Sequence, residues 1–460
     1  MGRRSSVIVL VLTLLTSAVM GASVGWSEVP TVSDTLKVLS LEDCIAIALE
    51  RNQSVQIAKA RIDEASEKRR EAFGSYLPSA SAIFSYTRLS EVPTLDMTTM
   101  LLEPEGGVGS LVRFYGFDTF HYKMGEENNY KLSISVSQPV FTWGRIRSQN
   151  RIALLEWELA QEQYRQARLD ITFAVKQAFY SVLLTREFRD IAEEAVRAIE
   201  RHYEVAQALY EEGKVSALDV SRVKVQLVNA RTQEIKAANA VKLALKALYN
   251  LIDAPEGADW QIRGELSFEP IRMTAEVAFQ EALENSPELK QLELRRGIVD
   301  ELLRLARAET KPTLAFVANY DYSRPFYFSD DWKGSWNAGL YLSFPFFKGF
   351  SDKARVRQAQ SQLKQIELAE EQLRMGIRLQ IEKILLSLEE AAERVAAQQE
   401  NVEVARQNLE IIQKRYQEGL ASDLDVTDTR LGLTRAETEY AQALFDYVIA
   451  LAELERAIGR

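Results

Sequence analysis

The chain has 460 residues, 47% hydrophobic and 27% charged, with only 11 Pro and 21 Gly, a turn-poor composition that favours long helices. Its net charge of −10 argues against a nucleic-acid partner, because that binding needs clustered Lys and Arg against the phosphates. Its two histidines, His121 and His202, and its single cysteine, Cys44, supply no two-histidine metal site and no catalytic triad. Neither an enzyme, a cofactor nor a metal centre is expected, and Cys44 falls in an apolar helical stripe with Leu41, Ile45 and Ala48, where it reads as core packing.

Residues 1–27 have the pattern of a secretory signal peptide. Arg3 and Arg4 precede an apolar run from Val7 to Leu15 and then small residues from Ser17 to Ser23. Cleavage is expected between Gly21 and Ser27, and no cysteine lies near it to carry a lipid anchor. Beyond this segment no stretch reaches the ~20 apolar residues of a spanning helix. Entry into a membrane is then open only to a β-barrel.

The rest of the chain reads as one unit written twice, over residues 28–252 and 273–460. Tyr210-Glu-Glu-Gly213-Lys-Val-Ser216-Ala-Leu218-Asp219-Val220 recurs as Tyr416-Gln-Glu-Gly419-Leu-Ala-Ser422-Asp-Leu424-Asp425-Val426, and Pro139-Val-Phe141 recurs as Pro345-Phe-Phe347. Such long copies mark a duplicated architecture. In the first, Ser40-Leu-Glu-Asp43 has capping-box spacing and opens a helix running through Ala72. It stops at Pro78, as its counterpart stops at Pro312, because proline disfavours helical geometry in the residue before it.

Strands are expected at about 79–88 and 129–139, and again at about 313–323 and 335–345. The clearest alternates Tyr130, Leu132, Ile134 and Val136 with Lys131, Ser133, Ser135 and Ser137, the period of a sheet with one apolar and one polar face. Leu89 to Asn128 and Arg324 to Ser335 are the outer loops, the first holding a flexible glycine-rich turn, Glu105 to Gly109. Four strands cannot close a barrel, and open edges are not tolerated in hydrocarbon. Several chains must contribute, and three, giving twelve strands, is the smallest set that leaves a lumen.

Past Pro139 and Gly144, and again past Pro345 and Gly349, the chain turns into very long helices at about 146–212 and 350–418. From Ile146 to Glu212 there is neither proline nor glycine, and at ~1.5 Å per residue that helix spans on the order of 100 Å. Gly213 and Gly419 suit the left-handed residue that ends a helix. Ser216 and Ser422, with Asp219 and Asp425 three residues on, complete capping boxes for return helices at about 217–251 and 423–458. An irregular connector, 253–272, carries Pro255 and Pro270.

With these motifs in order and in duplicate, the chain resembles the TolC-like outer-membrane efflux protein family over almost its whole mature length. Leu39-Ser40-Leu41-Glu42-Asp43 resembles that family's opening, Tyr76-Leu77-Pro78 and Pro139-Val-Phe141-Thr-Trp-Gly144 its helix–strand junctions, and the two Tyr-x-x-Gly-x-x-Ser-x-Leu-Asp-Val turns its hairpin tips. The resemblance implies a mainly α fold with a small β part. It implies a homotrimer with a 12-stranded outer-membrane β-barrel set in lipid and continued by a long α-helical barrel in the periplasm. It also implies an exit duct that works with a periplasmic adaptor and an inner-membrane transporter. The tips, Gly213, Ser216, Leu218, Asp219 and Val220 with Gly419, Ser422, Leu424, Asp425 and Val426, are where the family meets its adaptor.

Family members close the duct with rings of aspartate, and the carrying pattern is present as Asp425-Val426-Thr427-Asp428. Asp425 also has a capping role, whereas Asp428 lies outside the box. The first copy departs, with Arg222 at the place corresponding to Asp428. Some relatives latch the tip through an arginine two residues after the glycine, and here that place is Ala421, with Val215 in the first copy. The expected cargo is small molecules such as drugs, metals or other toxic solutes. The alternatives are the exit duct of a type I protein secretion system and a non-conducting periplasmic coiled-coil scaffold, which leaves the four alternating strands without purpose.

Overall fold

The computed structural model describes residues 38–104, 112–255, 257–258, 260–326 and 330–460, so the expected signal peptide and the glycine-rich turn lie outside the described residues. Two compact units are distinguished. Among the described residues the smaller holds Val38 and connector residues from Pro255 to Gln261, and the larger, Leu39–Ala254 with Ile262–Arg460, carries all the elements that follow.

Ser40 and Asp43 form the capping box, with the Asp43 N–H donating to Ser40 Oγ at 3.2 Å, and start α1 (Leu41–Arg51). Here the structure departs from the single helix expected, because Asn52 leaves helical geometry and its side-chain oxygen accepts from the Ser54 N–H at 2.9 Å. That local bond competes with the helix and starts a new one, α2 (Gln53–Gly74). Strand β1 (Ser79–Arg88) follows. The first outer loop is a second departure, since it contains an antiparallel hairpin of β2 (Thr94–Pro104) and β3 (Val112–Lys123), with Thr94 opposite Lys123. Its alternation begins at Thr94-Leu95-Asp96-Met97 but lapses at Thr99-Met100-Leu101-Leu102, and the register shifts between Leu101 and Leu102.

Strand β4 (Asn128–Phe141), the 67-residue α3 (Arg145–Glu211) and the 35-residue α4 (Ala217–Leu251) complete the first half. The second half contains α5 (Ala275–Asn285), α6 (Pro287–Ala308), β5 (Thr313–Arg324), β6 (Lys333–Ser343), α7 (Ser351–Gln417) and α8 (Asp423–Ala457). Its helices match those of the first half in length, at 11, 22, 67 and 35 residues. The break at Asn52 recurs at Ser286, which caps α6 with Pro287 in its first turn. Strand β6 ends at Ser343, so Pro345 lies beyond it rather than inside.

Apart from the β2–β3 hairpin, which pairs only with itself, these strands form one antiparallel sheet in the order β1-β4-β5-β6. Its register sorts the two faces. Ala82, Ile134, Tyr320 and Trp336 lie in one row, and Ala80, Val136, Ala318 and Ala338 in the next. This apolar face is uncovered in the single chain, with Trp336 77% and Leu342 71% exposed. The opposite face carries a polar ladder, in which Ser135 Oγ donates to Asn319 Oδ1 at 2.7 Å and Asn319 Nδ2 to Asn337 Oδ1 at 3.0 Å. Ser133 Oγ likewise donates to Asp321 Oδ1 at 2.6 Å. Pro139, which has no N–H to give a ladder, sits at a bulge, after which Phe141 pairs with Leu314 and joins the apolar face.

The helices pack as two coiled pairs, α3 with α4 and α7 with α8, and α3 also lies against α8. Along α7 the buried residues Leu388, Val395, Val402, Leu409 and Tyr416 recur every seven positions, the seam of a coiled coil. The connector is tied to the second pair by Tyr447, 1% exposed, whose hydroxyl donates to the Glu269 carbonyl at 2.7 Å and accepts from the Ile271 N–H at 3.2 Å. Replacing Tyr447→Phe strands both backbone groups beside the core and is expected to cost about 1–3 kcal/mol, read as a lowered unfolding midpoint of the purified protein; an unchanged midpoint shows that the connector is not held there.

Candidate functional site: the paired hairpin tips

Each long helix ends at a glycine in the left-handed region, Gly213 at φ 75° and Gly419 at φ 74°. The Lys214 N–H donates to the Leu209 carbonyl at 2.8 Å and the Leu420 N–H to the Arg415 carbonyl at 2.8 Å, so the orphan carbonyls of the last turn are satisfied. The serines then open the return helices. Asp219 Oδ2 accepts from the Ser216 amide at 3.0 Å and hydroxyl at 2.6 Å. Asp425 Oδ2 accepts from the Ser422 amide at 2.8 Å and hydroxyl at 2.7 Å.

These bonds favour the charged carboxylate. The serine hydroxyl first, then its amide, hold both aspartates below the usual carboxylate range, helped by Arg222 beside Asp219 and Arg415 beside Asp425. Asp425 is therefore occupied as a helix cap, while Asp428, three residues on, is exposed. Leu218 and Leu424, each 59% exposed, project from the two tips. Val220 is half-buried, but Val426 is only 5% exposed. Its side chain is therefore not on the outer surface of the tip in the single chain. The junction residues lie where the period changes, with Gly144 at φ 83° capping α3 and Gly349 at φ 60° followed by Phe350 at φ 65° capping α7.

Three side-chain contacts that the sequence reading did not single out join the tips. His202 on α3 meets Asp423, the first residue of α8, with Nε2 2.6 Å from Oδ1 and both side chains largely buried. Tyr416 packs its ring 5.0 Å from that of His202. Burial, then the charges of Asp423 and Asp219, push the Tyr416 phenol up, and its hydroxyl has no hydrogen-bond partner among the described residues. Thr427 Oγ1 donates to Gln226 Oε1 at 2.9 Å, tying α8 to α4. The signal was in the comparison of the copies, because Asp423 and Thr427 replace Ala217 and Ser221 of the first motif.

Behind these contacts α3, α4 and α8, with Gln413 of α7, line an open groove of about 680 Å3 that includes Ala195, Ile199, Ala230, Val426 and Arg430. Burial pulls the Arg430 guanidinium down from its usual value. Among the described residues no cluster of His, Cys, Asp and Glu could hold a metal ion, and no helix is long and apolar enough to cross a membrane.

The chain thus combines a sheet apolar on one face and hydrogen-bonded on the other with two hairpins of 67- and 35-residue helices. The family model for outer membrane efflux proteins matches residues 44–254 and 278–460, and the chain belongs to that family. It is thus an efflux protein of the outer membrane, in a family of channels rather than enzymes. It is 22% identical to the probable efflux pump outer membrane protein TtgC of Pseudomonas putida, over 91% of this chain and 83% of that one. It is 25% identical to the alkaline protease secretion protein AprF of Pseudomonas aeruginosa, over 72% of this chain and 70% of that one. Its fold matches the open state of the Neisseria gonorrhoeae MtrE outer membrane channel with a TM-score of 0.74 at 18% identity, covering 91% of this chain and 88% of that one.

The geometry makes two expectations measurable. His202→Ala leaves the Asp423 carboxylate buried and unpaired, and is expected to cost about 2–4 kcal/mol, with His202→Gln recovering part of it in thermal unfolding; equal midpoints for all three proteins count against a structural tie. Because the Asp219 and Asp425 carboxyls titrate lower folded than unfolded, their contribution is complete above the ordinary carboxylate pKa of about 4 and is lost as pH falls through the depressed folded values. Hydrogen-exchange protection factors at the tip amides, corrected for the intrinsic pH dependence of exchange, should therefore fall below about pH 4 in the wild type, and show no such acid step in a Ser216→Ala, Ser422→Ala variant.

Proposed function

We propose that three copies of this chain close a 12-stranded barrel and continue it as a helical barrel, forming the exit duct of a tripartite export system. The observation that carries this is the four-stranded sheet itself. Strands β1 and β6 are its open edges, and its apolar face is bare. An open edge in hydrocarbon leaves unpaired backbone groups, each costing several kcal/mol. Pairing β6 of one copy with β1 of the next removes every edge and turns the polar ladder of Ser135, Asn319 and Asn337 toward water. Twelve strands leave a lumen where eight are largely filled by side chains.

In this assembly each repeat, 28–252 and 273–460, supplies half of a protomer's barrel and one helical hairpin. The exposed Leu218 and Leu424 are the apolar contacts for a periplasmic adaptor, which links the duct to an inner-membrane transporter that supplies the energy. Asp428, exposed and free of the capping box, is the constriction residue, and Asp425 adds its charge beside it. Six carboxylates around one axis attract cations. The cargo class is small molecules such as drugs, metals or other toxic solutes, supported by the 91% coverage of the match to TtgC. A second reading, protein export, is favoured only by the similarity to AprF.

The test is conductance of purified, detergent-solubilised protein in a planar bilayer. Wild type is expected to give small cation-selective channels, and Asp428→Ala to lose selectivity or to conduct more. Asp425→Ala additionally removes the N3 half of the Ser422 capping box, so the double variant is compared with each single one. Correctly inserted protein that conducts in no form would overturn the duct and leave the scaffold.

A further inference from the structure

At the end of the sheet opposite the outer loops, the first turns of α3 face the last turns of α6 across a groove of about 710 Å3. Its lining is unusually cationic, with Arg147, Arg151, Arg304, Arg307 and Lys311 sharing it with Trp143. One carboxylate of the lining, Glu301, is 9% exposed and is already paired with Arg304 at 2.7 Å. Arg147, Arg151 and Arg307 are exposed and make no ion pair among the described residues. A chain with an excess of acidic residues has thus gathered cations at one level.

The sheet fixes which way this groove faces. The bulge at Val140 places Phe141 opposite Leu314, on the apolar face with Phe316, Tyr320 and Leu342. The Trp143 ring packs edge-on against Phe141 at 5.1 Å, and Lys311 Nζ stands 5.9 Å from the Trp143 ring centre. Lys311 thus stands where the two faces of the sheet meet the helices, beside Trp143 on one side and Thr313 and Ser343 on the other, and the arginines line the groove that Trp143 borders. Half-exposed Trp143 and Phe141 beside Arg and Lys, at the border of an apolar band, form the arrangement that meets the head-group layer of a membrane. The helix adds to it, because α3 begins at Gly144 without a side-chain cap and its positive end lies at the same level.

We propose that this groove binds the phosphate head group of an anionic phospholipid in the periplasmic leaflet of the outer membrane. The proposal rests on the barrel reading above, since only a sheet standing in lipid brings head groups to this level. Arg147, Arg151 and Arg307 supply the charge for the head group, Trp143 and Phe141 pack beside the first carbons of the acyl chains, and Glu301 holds Arg304 upright in the groove wall. A free inorganic anion shares the phosphate chemistry but has no use for the aromatic rim.

The full-length protein, stripped of lipid in detergent, is given equal amounts of phosphatidylglycerol and phosphatidylcholine with matched acyl chains, and the lipid retained is measured by native mass spectrometry. Wild type is expected to retain the anionic lipid about tenfold over the neutral one, the size that one or two surface cations supply. Arg147→Gln, Arg151→Gln and Arg307→Gln together should bring the ratio to about one, and Arg151→Gln alone should lower it partway, so the case stands even where the triple variant fails to assemble. Equal retention by wild type, or an unchanged ratio in a folded variant, overturns the site; displacement of the lipid by millimolar phosphate replaces it with a free-anion site. Conductance in phosphatidylcholine bilayers is read in parallel. Channels without lipid preference sink only the head-group site, whereas no channels from inserted protein sinks the duct.

Discussion

Backbone groups that cannot reach water must pair with one another, and the β-sheet of this chain leaves two rows of them unpaired at β1 and β6. No rearrangement of four strands within one protomer removes both edges, so the sheet is stable in hydrocarbon only inside a larger closed structure. Much else follows. The apolar face of Trp336, Leu340 and Leu342 stays bare in the single chain, and in the assembly proposed above the polar ladder faces a lumen and the helices that continue the strands share its symmetry. The 67-residue helices likewise gain their stability from tertiary packing, through seams such as Leu388 to Tyr416 and, for α7, a buried cluster shared with α5, α6 and α8.

At the far end of those helices the two copies share a backbone and differ in chemistry. The glycine that stops each long helix and the Ser-x-x-Asp box that restarts the chain are the same in both tips, down to φ angles of 75° and 74°. What differs is which side chains reach across. Asp423 and Thr427 of the second tip engage His202 and Gln226 of the first half, whereas Ala217 and Ser221 at the corresponding places do not make such bonds. At the tips the His202–Asp423 and Thr427–Gln226 contacts tie one hairpin to the other within this chain. A duplicated scaffold has kept its turns and let its contacts diverge.

Legibility from the sequence depended on how local each cause was. Capping boxes, glycine stops and the alternation of Tyr130 to Ser137 are set by neighbours within a few residues, and could be read directly. The breaks at Asn52 and Ser286 were local too, but a capping side chain inside an unbroken apolar stripe gives no change of period to notice. The β2–β3 hairpin was missed because its alternation lapses at a register shift. Asp425 could be read as cap and as pore residue, and the single chain shows the capping bond, while Asp428 stands apart from it.

The sequence by itself determined the duplication, the helix stops and starts and the two-faced strands, because each arises from residues close together along the chain. Only the tertiary structure decided that His202 meets Asp423 across 221 positions, that a bulge turns Phe141 to the apolar face, and that arginines from α3 and α6 share one groove. Those pairings depend on the rotation and register of long helices and strands against one another, which packing sets over the whole length of the elements and no local pattern records.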